Sequence, residues 1–283
     1  MEANTAAINI CKPKDVSVFL SRIDPADSDA AFRMDVGENI EELHTVCSGD
    51  TVVGLALIDD DTKGYLYLYI FPEYRRKGYG TLAAHAAQQQ IQASPLVSLT
   101  TVYGSNNPAA ERFAEKCGFA KKYSSALMTY PGTPFEDKAL PVRQYRDEDF
   151  DDAFALSSEA FHLMRLSTGC FPDSVINTPD GKTRQLWAET AEERYVYVLN
   201  GEVIGYARID GAELDTVAIK PARQGQGLGR EFVKYLTNII LKQEDEAPFL
   251  YCVVGNRKAR QLYDSLGYRE VTCNTYAVKK FEH

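Results

Sequence analysis

Two short stretches of this chain carry glycines spaced to hold an anion. One runs Ile70-Phe71-Pro72-Glu73-Tyr74-Arg75-Arg76-Lys77-Gly78-Tyr79-Gly80. The other runs Ile219-Lys220-Pro221-Ala222-Arg223-Gln224-Gly225-Gln226-Gly227-Leu228-Gly229. An apolar strand-like run precedes each and a helical pattern follows. That order gathers unpaired backbone N–H groups and a helix N-terminus, with its partial positive charge, around one point. Glycine lets the main chain approach a pyrophosphate closely. Ahead of the second stretch, Glu213 and Asp215 lie two residues apart. In a strand that spacing puts both carboxylates on one face. The equivalent residues of the first stretch are Gly64 and Leu66.

The stretches are copies. The offsets 221 − 72, 227 − 78 and 229 − 80 all equal 149. Downstream, Asn107-Pro108-Ala109-Ala110 through Gly118-Phe119 matches Asn256-Arg257-Lys258-Ala259 through Gly267-Tyr268 at the same offset. Upstream the register slips to 151, with Gly54 opposite Gly205; a two-residue difference in a hairpin loop accounts for it. An internal repeat of this length means two similar domains.

The elements that must position the loops follow from hydrophobic period. In the second copy Asn200-Gly201 joins two strands as a tight hairpin. Asp215–Ile219 is the next strand and runs into the Gly-rich loop. Arg230 to about Lys242 is a helix with Phe232, Val233, Leu236, Ile239 and Ile240 at helical spacing. Phe249–Val254 is an apolar run expected to be a strand buried on both faces. A helix from about Arg257 to Ser265 is terminated by Gly267. The first copy repeats the order: a hairpin of 41–47 and 51–58 around Gly49-Asp50, a strand 65–70, a helix 81–92 stopped by Ser94-Pro95, and a buried strand 96–102. The Pro- and Gly-containing segment 131–141 reads as a linker, giving domains of 1–137 and 138–283. Asp147 is the expected cap of a helix carrying Phe150, Phe154 and Leu156. The first copy has less sequence ahead of its hairpin, so what that region builds in the second copy is shortened there.

Composition sets limits. The chain has 283 residues and a net charge of −9, which suits two domains with their own cores and argues against nucleic acid as a partner. The same charge is compatible with a cationic acceptor. No apolar run reaches the roughly 18 residues of a membrane span, and no basic-then-apolar leader opens the chain. The cysteines Cys11, Cys47, Cys117, Cys170, Cys252 and Cys273 show no CxxC spacing, so no metal site is expected. A cytoplasmic protein with free thiols is the expectation.

The loops are neither of two familiar phosphate binders. No Gly-Lys-Ser/Thr follows either, and Gly225-x-Gly227-x-Gly229 is spaced wrongly for a dinucleotide fingerprint. Arg75-x-x-Gly78-x-Gly80 and Gln224-x-x-Gly227-x-Gly229 instead resemble the acetyl-CoA loop of the GNAT N-acetyltransferase superfamily. The preceding proline and the downstream Asn-x-x-Ala…Gly-Phe/Tyr element are similar to that family as well. The resemblance covers roughly residues 50–130 and 195–280, and it is to a tandem member.

That resemblance implies an α/β fold with two tandem GNAT-like domains, each a mixed sheet flanked by helices. It implies acetyl-CoA as cosubstrate. Val217, Ala218 and Ile219 would meet the pantetheine arm, and the amides of Gln224, Gly225, Gln226, Gly227, Leu228, Gly229 and Arg230 the pyrophosphate. Asn256 would contact the cofactor. The matching first-domain positions are Leu68, Ile70, Arg75, Arg76, Lys77, Gly78, Tyr79, Gly80, Thr81 and Asn107. The family's proton donor to the departing thiolate falls on Tyr263, while the first domain has Ala114 there. Glu213 or Asp215 either takes the amine proton or simply holds the ammonium; catalysis is accordingly assigned to the second domain, and the first becomes a degenerate copy, with or without acetyl-CoA binding. The expected activity is direct acetyl transfer, in a ternary complex, to a small-molecule or peptide primary amine. Transfer of another acyl group and a non-catalytic acyl-CoA sensor are the alternatives. Monomer and homodimer both remain open.

Tyr65, Tyr67 and Tyr69 alternate on one strand face and read as sheet packing. His85 reads as structural. His162, Trp187 and the stretch 167–182 are candidates to line an acceptor pocket.

Overall fold

The computed structural model describes residues 8–13, 15, 17–23, 40–59, 64–92 and 96–281. The chain forms two compact units, one made of residues up to Ser124 together with those from Cys273 onward, the other of Ser125–Thr272. This departs from a contiguous division at 137/138. The repeats exchange their last strands, so each unit is completed by a strand from the other copy.

In the first unit the sheet order is β1 (Ile8–Cys11), β2 (Leu43–Ser48), β3 (Thr51–Asp59), β4 (Tyr65–Ile70), β5 (Ser98–Gly104) and then β12 (Arg269–Lys280), the terminal strand. β12 pairs antiparallel with β5, Asn274 opposite Gly104 through Lys280 opposite Ser98. The second unit runs β6 (Ala120–Thr129), β11 (Phe249–Val253), β10 (Glu213–Ile219), β9 (Glu202–Asp210), β8 (Arg194–Leu199) and β7 (Val142–Gln144). There β11 pairs antiparallel with β6, from Phe249 opposite Thr129 to Val253 opposite Ser125. Strand pairing is mixed in each unit: β4/β5 and β10/β11 are the parallel pairs, joined by the helices Tyr79–Gln92 and Leu228–Gln243.

Hydrophobic spacing explains the packing. Phe232, Val233, Leu236 and Ile240 of the Leu228–Gln243 helix are buried. Ala83, Ala84, Ala87 and Ile91 of the first-unit helix join a core with Val53, Ile58, Leu66 and Leu99. The first helix begins at Tyr79 rather than Thr81, and the second at Leu228 rather than Arg230. The Arg257–Leu266 helix ends at Gly267, whose φ of 98° needs glycine. The two-residue slip is the sum of two differences: five residues separate β3, ending at Asp59, from β4, starting at Tyr65, but only Gly211 and Ala212 separate β9 from β10, and one extra residue bulged between Leu214 and Thr216 of β10 reduces that difference of three to two. Ser94 and Pro95 lie outside the described residues, as does much of the region ahead of the first hairpin.

Three local expectations are corrected. β11 is not buried on both faces, since Tyr251 is 41% exposed between buried Leu250 and Cys252; one face of that strand is uncovered. Asp147 does not cap the following helix. It lies in a short 3-10 turn, and the helix Phe150–Ser167 starts after Asp149. Asp149 is held by the Arg143 guanidinium at 2.7 Å on each oxygen and accepts from the Arg146 N–H at 2.9 Å. The 131–141 stretch is not a free linker. Asn238, buried in the Leu228–Gln243 helix, accepts from the Phe135 N–H at 2.8 Å and donates to its carbonyl at 2.9 Å. One amide side chain on a helix thus straps down a segment whose composition reads as loop.

Candidate active sites

In the second unit the site grows from a place where two strands part. Among the described residues the register of β10 and β11 holds one Cα pair, Glu213 opposite Phe249. A bulge then follows: Leu214 pairs with Ile209 and Thr216 with Arg208, leaving Asp215 as the extra residue. Beyond it, Val217 and Ile219 keep their β9 partners, Ala207 and Gly205. Their other edge faces the gap. Parallel strands that separate leave main-chain donors and acceptors for a ligand to satisfy.

The loop after β10 is pinned by its own motif residue. Gln224 Nε2 donates to the Ile219 carbonyl at 3.0 Å. In the first unit Arg75 Nε donates to the Ile70 carbonyl at 2.7 Å. Two different side chains close the same turn across the same five residues. Gly227 then caps the Leu228–Gln243 helix with φ of 80°, a left-handed conformation, and a Cβ there would meet nothing within 4 Å. The space over the helix N-terminus is therefore open, and its first N–H groups lack intrahelical partners. Gly229 serves packing instead: a Cβ would sit 3.5 Å from Ile219 and 4.0 Å from Leu262. This is a fitting cradle for a pyrophosphate.

The flanking side chains are mostly committed elsewhere. Arg230 turns to Ser265, with its guanidinium donating to Oγ at 2.6 Å and to the carbonyl at 3.2 Å. Gly225 has φ of 76° and Gln226 is exposed. Ala218 is buried. Asn256 Oδ1 accepts from the Ala259 N–H at 3.3 Å, capping its helix, and Asn107 does the same for Ala110 at 3.0 Å.

The titratable groups differ in setting. Burial, then the neighbouring Asp215 and Asp210, push the Glu213 carboxyl above its ordinary value, against the opposing pull of Arg208. Asp215 is tied down: Arg208 Nη1 lies 3.3 Å from its Oδ2, and Thr216 Oγ1 donates to the same oxygen at 3.2 Å. The bulge also breaks the strict alternation that would put the two carboxylates on one face. Tyr263 packs at 5.7 Å from the Tyr268 ring. Burial first, then Cys252 and Tyr268, raise its phenol above the ordinary range. Burial pushes the Cys252 thiol up to about 11, so it stays protonated at neutral pH.

The first unit repeats the frame. Tyr65 opposite Thr100 is the one Cα pair of β4 with β5 among the described residues. Gly78 has φ of 89° with nothing within 4 Å of a Cβ. Arg76 holds φ of 60° where the other copy has Gly225, a strained conformation for a non-glycine residue. Lys77 donates to the Glu73 carbonyl at 2.8 Å. A cleft of about 730 Å³ opens here, lined among others by Leu68, Ile70, Arg75, Thr81, Tyr103 and Asn107. Tyr79 packs edge-on against Tyr74, and Gly80 lies against Phe113 and Ile70. Tyr67 and Tyr69 are buried in a core with Leu55 and Phe71, as sheet packing requires.

The sequence matches the profile of the Acetyltransferase (GNAT) family over residues 14–119 and again over 160–268. The chain belongs to the GNAT acetyltransferase family. Both motif-bearing halves of this tandem GNAT protein are thereby accounted for. It is 25% identical over 266 residues to the mycothiol acetyltransferase of Amycolatopsis mediterranei, covering 83% of this chain and 81% of that one. It is 31% identical over 97 residues to the [ribosomal protein bS18]-alanine N-acetyltransferase of Escherichia coli strain K12, spanning 32% of this chain and 66% of that enzyme. Among solved structures, a GCN5-related N-acetyltransferase from Sphaerobacter thermophilus superposes with a TM-score of 0.69 at 16% identity, covering 97% and 96% of the two chains. A tandem GNAT protein from the clavulanic acid biosynthesis pathway gives 0.58 at 16% identity, covering 96% and 98%. These likenesses establish the fold. No helix among the described residues is long and apolar enough to cross a membrane.

Two residues of this GNAT chain escaped sequence reasoning. Arg208, on β9, gathers Glu193, Asp210 and Asp215. No motif marks it; only the β9–β10 register brings it to Asp215. Tyr103, on β5, lines the first-unit cleft beside Ala114. Its counterpart at the repeat offset is Cys252, so the units carry their phenol on different elements, strand in one and helix in the other. The offset itself was the signal. Of the remaining candidates, His85 is exposed, His162 Nδ1 lies 3.3 Å from Ser174 Oγ, and Trp187 stacks on Tyr206 at 4.6 Å.

Proposed function

We propose that the second unit transfers an acetyl group from acetyl-CoA to the primary amine of a small molecule or peptide within a ternary complex. The observation that carries this reading is the parting of β10 and β11 at Glu213, with the Gln224-pinned loop and the Gly227 helix start directly downstream. Acetyl-CoA supplies the activated thioester. The main chain of Val217 and Ile219 holds the pantetheine arm and polarises the carbonyl. The open N-terminus of the Leu228–Gln243 helix holds the pyrophosphate. Glu213, with its carboxyl raised above its ordinary value by burial and the neighbouring Asp215 and Asp210, accepts the amine proton. Asp215, already engaged by Arg208, keeps the local field negative and favours an approaching ammonium.

Tyr263 acts as a hydrogen-bond donor to the leaving sulfur. A phenol held above its usual pKa stays protonated throughout the working range. Full transfer to a thiolate, whose ordinary pKa is about 8.5, would run uphill. The state of Cys252 supports direct transfer, since a buried, protonated thiol is a poor acyl carrier.

A second reading concerns the first unit. Its 730 Å³ cleft favours retained acetyl-CoA binding in a copy that lacks the Glu213 and Tyr263 counterparts. The domain assignment is then a working second unit and a binding first unit, in a protein of the cytoplasm. The test is release of CoA thiol from acetyl-CoA in the presence of a panel of amines. Amine-dependent release abolished by Gly227→Val supports the reading. Release that survives that substitution but not Gly78→Val would move catalysis to the first unit.

A further inference from the structure

A smaller hollow lies in the second unit, about 210 Å³ in volume. Phe154, Ser157, Phe161 and Arg165 of the Phe150–Ser167 helix line it, with Trp187 and Thr216 opposite. It is built rather than incidental. The Asn177 N–H donates to Ser158 Oγ at 2.6 Å, and Ser158 Oγ donates to the Asn177 carbonyl at 3.2 Å. That pair stitches the segment after the helix back onto it. Trp187 is fixed by its stack on Tyr206 and by the Arg194 guanidinium 4.7 Å from its ring.

Among the described residues that line the hollow, Arg165 is the only ionisable one. Other arginines of this unit hold carboxylates: Arg143 holds Asp149, Arg184 holds Asp147 and Arg260 holds Glu270. Among the described residues Arg165 has no such partner; its guanidinium lies 6.0 Å from the Phe161 ring. A half-buried cation among aromatic rings acts on a ligand charge more strongly than one in open water. Thr216 is one residue before Val217, about 3.3 Å of strand, so the hollow adjoins the reacting end of the proposed site.

We infer that this hollow receives the rest of the acceptor, and that Arg165 reads an anionic group on it. The inference rests on the proposed acetyl transfer and names the acceptor class: a small primary amine that also carries a carboxylate, such as an amino acid with an apolar side chain. The chain's net charge of −9 suggests a cationic acceptor, but that charge is spread and screened. The charge inside the hollow is positive. Polyamines and aminoglycosides are disfavoured.

The experiment uses the full-length protein and four amines: phenylalanine, phenylalaninamide, phenylethylamine and spermidine. CoA release is measured for each with wild type, Arg165→Met and Arg165→Lys. The expected result is kcat/KM at least tenfold higher for phenylalanine than for its carboxamide. The preference should collapse in Arg165→Met, return in part with Arg165→Lys, and leave the KM for acetyl-CoA unchanged. Turnover with no carboxylate preference, or a preference that Arg165→Met leaves intact, overturns the inference while acetyl transfer stands. Absence of turnover with all four amines counts against the acetyl-transfer reading instead. Calorimetric binding of phenylalanine and phenylalaninamide then decides the pocket separately: equal affinities overturn it, and a tenfold carboxylate preference lost in Arg165→Met sustains it.

Discussion

Gln224 donates to the main-chain carbonyl of Ile219 at 3.0 Å and so fixes the turn between β10 and the helix that follows. Removing that bond costs about 0.5–1.5 kcal/mol. The loop amides would lose alignment, while Glu213 and Tyr263 would be untouched. Gln224→Ala is expected to raise the KM for acetyl-CoA roughly twofold to tenfold and to leave kcat nearly unchanged. Gln224→Arg, copying the Arg75 bond of the first unit, should restore it. A fall in kcat alone would contradict a binding role.

Glu213 should set the acid limb of the rate profile. Its carboxyl is raised by burial and by Asp215 and Asp210. It is therefore charged above the raised value, and activity is lost as pH falls through it. The inflection in kcat/KM belongs above the ordinary glutamate value of about 4.3. Glu213→Gln should remove the limb and lower kcat by about 10²–10⁴. A limb that persists in the variant would assign it to another group.

Tyr263→Phe should lower kcat with little change in the KM for acetyl-CoA. A hydrogen bond to a developing anion contributes about 1.5–3 kcal/mol, or roughly 10- to 150-fold in rate. Because the phenol is raised above its usual range, wild type should show no alkaline limb from Tyr263 below about pH 10. Unchanged turnover in the variant would remove Tyr263 from the mechanism.

Calorimetric titration with acetyl-CoA should give two sites per chain. Gly78→Val should remove one and Gly227→Val the other, because each glycine holds a left-handed φ that a β-branched residue resists. Only the Gly227 change should abolish turnover. A single site that Gly227→Val removes would show the first unit to be an empty scaffold.

Most of the frame could be read from residue order. The constant offset located both loops, the paired Asn107 and Asn256 (expected to contact the cofactor, and found to cap their helices) and the helix stop at Gly267, because each recurs in both copies. Function of individual side chains was less legible where it depends on register. Glu213 and Asp215 look equivalent at a spacing of two; the bulge and Arg208 separate them. The swap of Tyr103 and Ala114 for Cys252 and Tyr263 needs the strand and helix to be seen facing one cleft. The strand exchange was illegible for a stronger reason. Ala120–Thr129 and Arg269–Lys280 occupy equivalent places in the repeat, and nothing in either strand's own pattern states which copy of the preceding strand it will pair with.

That exchange has a consequence for how the protein is made. The cleft of the first unit is formed by residues that emerge early from the ribosome, yet its sheet waits for 274–280, the last strand of the chain. At 5–20 residues per second the delay over about 150 residues is on the order of 10–30 s. During it the edge of β5 stands uncovered, the condition under which strand edges pair wrongly. The second unit has what it needs as soon as β11 is synthesised, because its neighbour β6 is already present. Order of synthesis and order of completion are therefore inverted: the half encoded first is the half finished last.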